Sequence, residues 1–566
     1  MGERSALCRS RRGGPRNARS PQTPRCDHVR QGRRPRIEPI GSPRKDVLAV
    51  LLELLVGTCI AAALVTLAVV TVLPRLGRAG GPLAIVLAAI GGALGAQIAG
   101  DPAGRPLGAI LAAAVPVLAL VAGRSGCWHG WARVTLAALA QAAAVYVLYA
   151  LLVTATTARG TAGMVLGSVL WLVQLASLLL TMSFAVELLD VLGRRRFPVR
   201  DAALAAPEPA VWPGVCVQIP AYNEPPELLA ETIRAVMRQD YPGRWMVQVV
   251  DNNTRDEAVW RPIEALCAEL GPRVRFIHLA DWPGYKSGAL NEATRRLPGW
   301  VDVIAVVDAD YLVEPGFLRA TARHFADPDV AFVQTPQHYR DWSDDRYLAG
   351  LFYSYKYFFD VSMVSRAEHN AIIFGGTMGL VRREALERIG GWDEWCITED
   401  AEASLRLLGL GYRGVYDPRP YGSGLMPLSF EGLKKQRFRW AFGGVQILRK
   451  HAGALLRMRG GALRLTTGQR IAYLTGALQW FNEVLGALFT GLLLTAAVTS
   501  ALGAHIGLPA LSGAALVVPP LLIVTGGVRS QWGLRRTAGC SRGEALRAHL
   551  VWFALSWVVA RACLSA

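Results

Sequence analysis

Val303-Ile304-Ala305-Val306-Val307-Asp308-Ala309-Asp310, VIAVVDAD, is the stretch on which the fold turns. A run of apolar, mostly β-branched residues, too short for a membrane helix, stops abruptly at two carboxylates separated by one alanine. A buried parallel strand delivers acids to the edge of a sheet in this way. Side chains at i and i+2 of a strand share a face, so Asp308 and Asp310 are expected to converge. Two convergent carboxylates suit a hard divalent cation that keeps room for phosphate oxygens. Short D-x-D strings also arise by chance as solvated strand ends, so the neighbours carry the decision.

On both sides of this stretch, from about residue 215 to 456, strand-like and helix-like segments alternate. Residues 215–219 and 246–250 read as short buried strands, with an amphipathic helix over 228–239 between them, a βαβ pattern. Roughly 240 residues of this kind bury a substantial core.

Further out the chain changes character. A hydrophobic content of 52% and a mean hydropathy of +0.28 over 566 residues are too high for a soluble two-domain protein, so membrane spans are expected. Apolar runs at 47–73, 82–99, 107–122, 134–154 and 162–189 precede the α/β segment, and runs at 471–502, 508–528 and 546–566 follow it. Their many Gly and Ala residues suit close helix packing in lipid. The last run reaches residue 566 without a polar flank, the pattern expected of a chain that continues.

Charge sets the orientation. The block Arg194-Arg195-Arg196 places the α/β segment on the cytoplasmic side. Five preceding spans then put the N-terminal tail outside, against the same rule, although residues 1–46 carry 13 Lys/Arg against 4 Asp/Glu. The block beside the large domain is given the greater weight. The tail itself is rich in Arg, Pro, Gly and Ser without apolar periodicity, and reads as disordered.

The formal net charge of +18 does not argue for nucleic acid, because only 6 of the 61 basic residues are lysines, a skew expected of GC-rich coding. Nine cysteines without a C-x-x-C pair indicate neither a zinc site nor a disulfide framework. The resulting division is a basic tail (1–46), an N-terminal transmembrane region (47–192), an α/β domain (193–428), an amphipathic interfacial helix region (429–460) and a C-terminal transmembrane region (470–566).

Within the α/β domain the chemistry-bearing residues come in a definite order. IPAYNE places Glu224 in the turn after one strand, and VVDNN ends the next strand at Asp251. Acids at adjacent strand ends suit a base and a ribose, although Asn, Asp and Pro are common in turns for conformational reasons alone. GYKSGALN offers Lys286 in a Gly-flanked turn, where an ammonium can meet a diphosphate. Gln436, Arg439 and Trp440 fall at i, i+3 and i+4 on one helix face. That helix is basic and amphipathic, which is equally the signature of a helix lying in the membrane interface.

IPAYNE, VVDNN, GYKSGALN, VVDAD, FVQTPQ (Phe332 to Gln337), TED (Thr398 to Asp400) and QRFRW (Gln436 to Trp440) resemble, in order and spacing, the inverting family-2 glycosyltransferases of the cellulose-synthase type. The resemblance covers the α/β domain and its flanking membrane architecture. It implies a GT-A (Rossmann-like) cytoplasmic domain inserted between α-helical transmembrane bundles, in the plasma (inner) membrane of a bacterium. It further implies an enzyme that takes a nucleotide sugar, commonly a UDP-sugar, and adds it to a glycan acceptor.

Carried over by motif, Asp251 holds the nucleoside, and Asp308 and Asp310 hold Mg²⁺ or Mn²⁺ on the diphosphate, with Glu224 and Lys286 beside them. Asp400 is the general base. Glu399, Gln436, Arg439 and Trp440 face acceptor and diphosphate. Attack opposite the leaving group inverts the anomeric centre and gives a β-linked product.

Two readings of the enzyme stay open: processive polymer synthesis coupled to export, and transfer of one sugar to a lipid or membrane-bound acceptor. A membrane transport or scaffold protein with a silent GT-A domain is disfavoured by the intact acids. Asn252 stands where many relatives carry a second acid, and Trp282 precedes Pro283-Gly284 where a basic residue is common, so donor choice is open. The glycines of FGGTMG (Phe374 to Gly379) allow close backbone approach to an acceptor or mark a tight turn. The sequence shows no PilZ regulatory domain and gives no support for control by cyclic di-GMP.

Overall fold

The computed structural model describes residues 43–123, 126–457, 463–503 and 513–566. The tail reading for 1–42, Cys8 and Cys26, the end of the interfacial region at 458–460 and the start of the apolar run at 508–512 lie outside the described residues.

Hydrophobic runs of β-branched residues become a seven-stranded sheet in the order β3-β2-β1-β4-β7-β6-β8. Its strands are β1 (Val215–Ala221), β2 (Trp245–Asn252), β3 (Val274–Leu279), β4 (Val303–Val306), β6 (Val330–Gln334), β7 (Gly379–Arg382) and β8 (Arg413–Tyr416). Only β7 runs antiparallel to its neighbours. A separate two-stranded ribbon pairs β5 (Leu312–Val313) with β9 (Gly422–Ser423).

Alternation along β1 sends Val215, Val217 and Ile219 into the core on one face and Cys216 into the core on the other. Burial on both faces explains why these strands read as unbroken apolar runs. Helices cover both faces: α1 (Pro226–Val236), α2 (Glu257–Glu269), α3 (Tyr285–Arg295), α4 (Arg346–Tyr357), α5 (Glu399–Gly409) and α6 (Phe430–Leu455). The sequence placed the first of these at 228–239; Pro226 starts it two residues earlier, as expected for proline in a first helical turn.

Eight helices among the described residues are long and apolar enough to cross a membrane. Val47–Thr71, Leu73–Ala99, Arg105–Ala122, Gly130–Thr157 and Gly160–Leu192 precede the sheet; Thr467–Ala501, Gly513–Ala538 and Arg542–Ser565 follow it. Small residues make close packing possible, as expected. A Cβ on Gly95 would lie 2.1 Å from the Gly57 Cα, so the first two helices touch backbone to backbone there.

The last apolar run differs in detail from a single rod. It is two helices, α7 (Arg542–Ala554) and α8 (Ser556–Ser565), joined at Leu555. α7 packs on α4 and α8 on α6, so this run covers one helix of the α/β domain and the long helix of the interfacial region. Leu546, Leu550, Phe553 and Trp557 are left exposed on one side.

A polar knot joins the fifth apolar helix to the domain. Asp190, buried at that helix's end, accepts hydrogen bonds from Trp128 Nε1 (2.9 Å), Arg194 Nε (2.8 Å) and Ser365 Oγ (2.8 Å). A buried carboxylate with this many donors is stable only while all of them stay in place, which fixes the domain against the helix end.

Candidate active site

The strand of the VIAVVDAD stretch ends at Val306, two residues before the first acid. Asp308 and Asp310 therefore lie in the turn beyond β4, and strand alternation is not what orients them. Other contacts hold them. The Asp308 N–H donates to Thr377 Oγ1 (3.0 Å), and the Leu425 N–H donates to Asp310 Oδ2 (2.8 Å). Arg340 Nη1 donates to the Asp310 carbonyl (2.7 Å).

The Thr377 loop is itself braced by FVQTPQ. Gln334 Nε2 donates to the Thr377 carbonyl (3.0 Å), its Oε1 accepts from the Gly375 N–H (2.8 Å), and Gln337 Nε2 donates to the Gly375 carbonyl (2.9 Å). Gly376 in this loop has φ +77°. A Cβ there would lie 2.8 Å from Asp400 Oδ2. Gly376 of FGGTMG thus serves a tight turn that leaves room for the Asp400 carboxylate.

Lys286 belongs to the first turn of α3 rather than to an open turn, with Gly284 and Tyr285 before it at φ +82° and +53°. Its Nζ lies 2.7 Å from Asp308 Oδ1. Burial opposes the ammonium, but Asp308 and Glu399 outweigh it and hold its pKa above the ordinary lysine value.

Glu399 and Asp400 open α5, and the Ala401 N–H donates to Asp400 Oδ1 (2.8 Å). Burial first, and then the Asp400 charge, push the Glu399 carboxyl up. Asp400 is raised mainly by burial, against the Ala401 hydrogen bond and the Lys286 charge. Burial, Asp310 and Asp308 raise Glu224, and burial together with Asp308 raises Asp310.

The structure therefore collects Glu224, Lys286, Asp308, Asp310, Glu399 and Asp400 into one electrostatic unit of five carboxylates and one ammonium. An excess of hard oxygen donors whose charges raise one another's pKa values is the donor chemistry a divalent cation relieves. Among the described residues no three His, Cys, Asp or Glu are arranged to hold a metal by themselves. A cation held there by one or two carboxylates would need substrate phosphates to complete its shell. Asp308 and Asp310 would hold it.

Asp251 stands apart from this unit. Buried at 4% exposure, it accepts from Thr254 Oγ1 (2.6 Å) and lies 2.7 Å from His278 Nδ1. Trp260 stacks on the His278 ring at 4.3 Å. Thr254 Oγ1 also accepts from the Asn223 N–H (3.0 Å), so the VVDNN and IPAYNE turns are tied together. Asn253 and Trp282 exchange two hydrogen bonds, Asn253 Nδ2 to the Trp282 carbonyl (2.8 Å) and the Trp282 N–H to Asn253 Oδ1 (2.6 Å). The buried Asn252 Oδ1 has no partner among the described residues.

The helix of QRFRW is stitched to the TED turn. Gly443 faces Thr398, where a Cβ would come within 2.3 Å of Thr398 Oγ1. Gln446 Oε1 accepts from the Ile397 N–H (3.0 Å), and His451 Nε2 lies 2.8 Å from Glu402 Oε1. Tyr355 OH donates to Gln436 Oε1. Trp440 tilts against Tyr355 at 5.8 Å between ring centroids.

Arg439 is exposed, whereas Arg437 is the buried member of the motif. Its guanidinium lies 4.6 Å from the Tyr355 ring and 4.7 Å from the Trp440 ring. Sequence reasoning missed His278, Thr254 and Arg437; the only signal for Arg437 was its place inside QRFRW. Among the aromatic residues around Phe352–Phe359, Phe352 stacks on Trp342 at 3.9 Å.

With this geometry in view, a family model described as "Glycosyltransferase like family 2" matches residues 213–443. Residues 213–443 are a family 2 glycosyltransferase domain. The chain is 32% identical over 282 residues to the cellulose synthase catalytic subunit [UDP-forming] of Xanthomonas axonopodis pv. citri, a match covering 48% of this chain and 36% of that one. It is 30% identical over 261 residues to glucomannan 4-beta-mannosyltransferase 7 of Arabidopsis thaliana, covering 45% of this chain and 47% of that one. The chain thus spans less than half the length of these curated relatives. Among solved structures, a mannosyltransferase from Pyrobaculum calidifontis in complex with GDP-Man and Mn²⁺ superposes with a TM-score of 0.42 at 22% identity, covering 66% of this chain and 97% of that one.

Proposed function

We propose that this protein is a membrane-embedded inverting glycosyltransferase that moves a sugar from a nucleotide-sugar donor onto a growing β-linked polysaccharide. The observation that carries the proposal is the unit of Glu224, Lys286, Asp308, Asp310, Glu399 and Asp400. It lies beyond the C-terminal ends of parallel strands, where open α/β sheets bind nucleotides. Relatives named as UDP-forming support a uridine-based donor.

In this reading Asp251, aimed by Thr254 and His278, receives the nucleoside, and Lys286 turns from Asp308 to the diphosphate. A bound Mg²⁺ or Mn²⁺ supplies Lewis-acid stabilisation of charge on the departing diphosphate. Asp400, ionised, takes the proton from the acceptor hydroxyl as its oxygen attacks the anomeric carbon from the side opposite the diphosphate. The carbon–oxygen bond to the diphosphate breaks as the new glycosidic bond forms, so an α-linked donor yields a β linkage. Positioned proton transfer of this kind contributes about 10²–10⁴-fold.

The finer part of the proposal is repeated addition with export through the spans. α6 presents Trp440 as a flat apolar surface for the acceptor sugar and is fixed to the TED turn through Gly443 and Gln446. The testing experiment supplies membranes containing the protein with labelled nucleotide sugars. Nucleoside diphosphate release that EDTA abolishes, and that Asp400→Asn abolishes while donor binding survives, supports the mechanism. Turnover undiminished by either treatment overturns it. A product ladder or polymer marks processive synthesis; a single added sugar marks the alternative.

A further inference from the structure

The edge of the sheet opposite the candidate active site carries a second built feature. Where β2, β3 and β4 begin, a cleft of about 510 Å³ is lined by Arg244, Trp245, Arg273, Arg275 and Trp300, among others. The acids of the donor site follow the other ends of these strands, and an eight-residue strand such as β2 separates the two edges by roughly 25 Å.

Three guanidinium groups line this cleft, and two lie over tryptophan rings. Arg244 lies 4.1 Å over the Trp300 ring, and Arg273 lies 4.8 Å over the Trp245 ring. Stacking fixes the plane of a guanidinium and leaves its N–H edges pointing outward, a pre-ordered fork for an oxyanion.

The same domain pairs its other surface arginines freely with carboxylates. Arg261 pairs with Glu257, Arg295 with Glu292, Arg319 with Glu208 and Arg388 with Glu384. Arg244, Arg273 and Arg275 have no carboxylate within 4.0 Å among the described residues. The acid that lines the cleft, Asp240, is engaged by Arg319 at 3.3 Å. The cleft therefore keeps three uncompensated positive charges around a volume in the usual range for small-molecule sites.

We propose that this cleft is a second anion site, distinct from the donor site, which binds a soluble phosphorylated molecule of nucleotide size. Phosphate is the anion that matches several convergent guanidinium forks, each able to make paired charge-assisted hydrogen bonds. The tryptophan faces are covered by arginine, so recognition rests on phosphate groups and tolerates different attached groups.

The test is isothermal titration of the detergent-solubilised full chain with ADP and with inorganic pyrophosphate, in EDTA so that metal-assisted binding at the donor site is suppressed. Saturable one-site binding is expected for both probes. It should weaken at least tenfold in Arg273→Gln/Arg275→Gln and also in Arg273→Lys/Arg275→Lys, which keeps the charge and loses the fork. Asp308→Asn, at the donor site, should leave it unchanged. Thermal unfolding of each variant at the wild-type temperature shows that the loss is not one of folding. Absence of saturable binding, or equal affinity in the glutamine variant, overturns the proposal, whatever the outcome for sugar transfer.

Discussion

Lys286 Nζ lies 2.7 Å from Asp308 Oδ1, so a side chain at the start of α3 neutralises an acid in the turn beyond β4. Without a diphosphate, the ammonium is the counter-charge of the carboxylate cluster. A divalent cation held by Asp308 and Asp310 would compete with the ammonium for Asp308, leaving Lys286 free to meet a phosphate. Lys286→Met should therefore weaken donor binding by roughly 10–100-fold, the loss of one charge-assisted hydrogen bond. Titration of donor into the variant with and without divalent metal checks it. Unaltered donor affinity would place Lys286 outside the diphosphate site.

His278 and Asp251 support a separate prediction. One carboxylate oxygen is taken by Thr254 and the other faces His278, so Asp251 is aimed before any nucleoside arrives. His278→Ala should raise the donor KM about tenfold with kcat nearly unchanged, since the reacting atoms lie elsewhere. His278→Asn, which keeps a donor, should recover part of the loss. A fall in kcat at unchanged KM would contradict the assignment.

These two pairs also show what was legible in the chain. Asp251, Asp308 and Asp310 stand out because strand ends concentrate acids in short motifs. His278 did not, because its meaning arises only when β3 lies beside β2 and brings residues 27 apart in sequence into contact. Arg437 was hidden for a similar reason, since Tyr355 comes from a helix far earlier in the chain. Hydropathy flagged the run at 546–566 but could not register the break at Leu555 or the packing on α4 and α6, because composition carries no information about partners.

Gly376 offers a backbone test. At φ +77° an alanine is strained, and its Cβ would crowd Asp400 Oδ2 at 2.8 Å. Gly376→Ala should cost about 1–2 kcal/mol in stability. It should also lower kcat by more than that loss explains, because Asp400, the proposed general base, is displaced. Thermal unfolding and turnover measured on the same preparation separate the two effects.

The Glu399–Asp400 pair sets the pH dependence. Burial and the neighbouring Asp400 push Glu399 up to about 7, above the ordinary glutamate value, and Asp400 is raised as well. The folded state then binds more protons than the unfolded chain between the ordinary carboxylate range and neutrality. Stability contributed by this pair therefore falls as pH rises through that window. In the proposed mechanism activity moves the other way, because Asp400 must be ionised to accept a proton. Turnover should rise with pH through the neutral range, with apparent ionisations that belong to the pair. Glu399→Gln should raise the unfolding temperature at about pH 8 and leave it unchanged at about pH 4. Destabilisation at the higher pH would contradict the sign.

Arg437 is the last case, and it separates packing from chemistry within QRFRW. Its guanidinium packs against both Tyr355 and Trp440, in the notch where the two rings meet, at 9% exposure, and burial lowers its pKa. The buried Nε has no partner among the described residues, so its stabilisation comes from the two ring faces and from Ser354 Oγ, which accepts from Nη2 at 3.3 Å. Lysine keeps the charge but loses the flat stack, so Arg437→Lys should cost about 1–2 kcal/mol. If Trp440 carries the acceptor, loosening its neighbour should shorten the product while donor binding stays at the wild-type value. Trp440→Ala, which removes the ring itself, should shorten it further. Full-length product from a destabilised Arg437→Lys enzyme would make this cluster purely structural and remove Trp440 from the acceptor path.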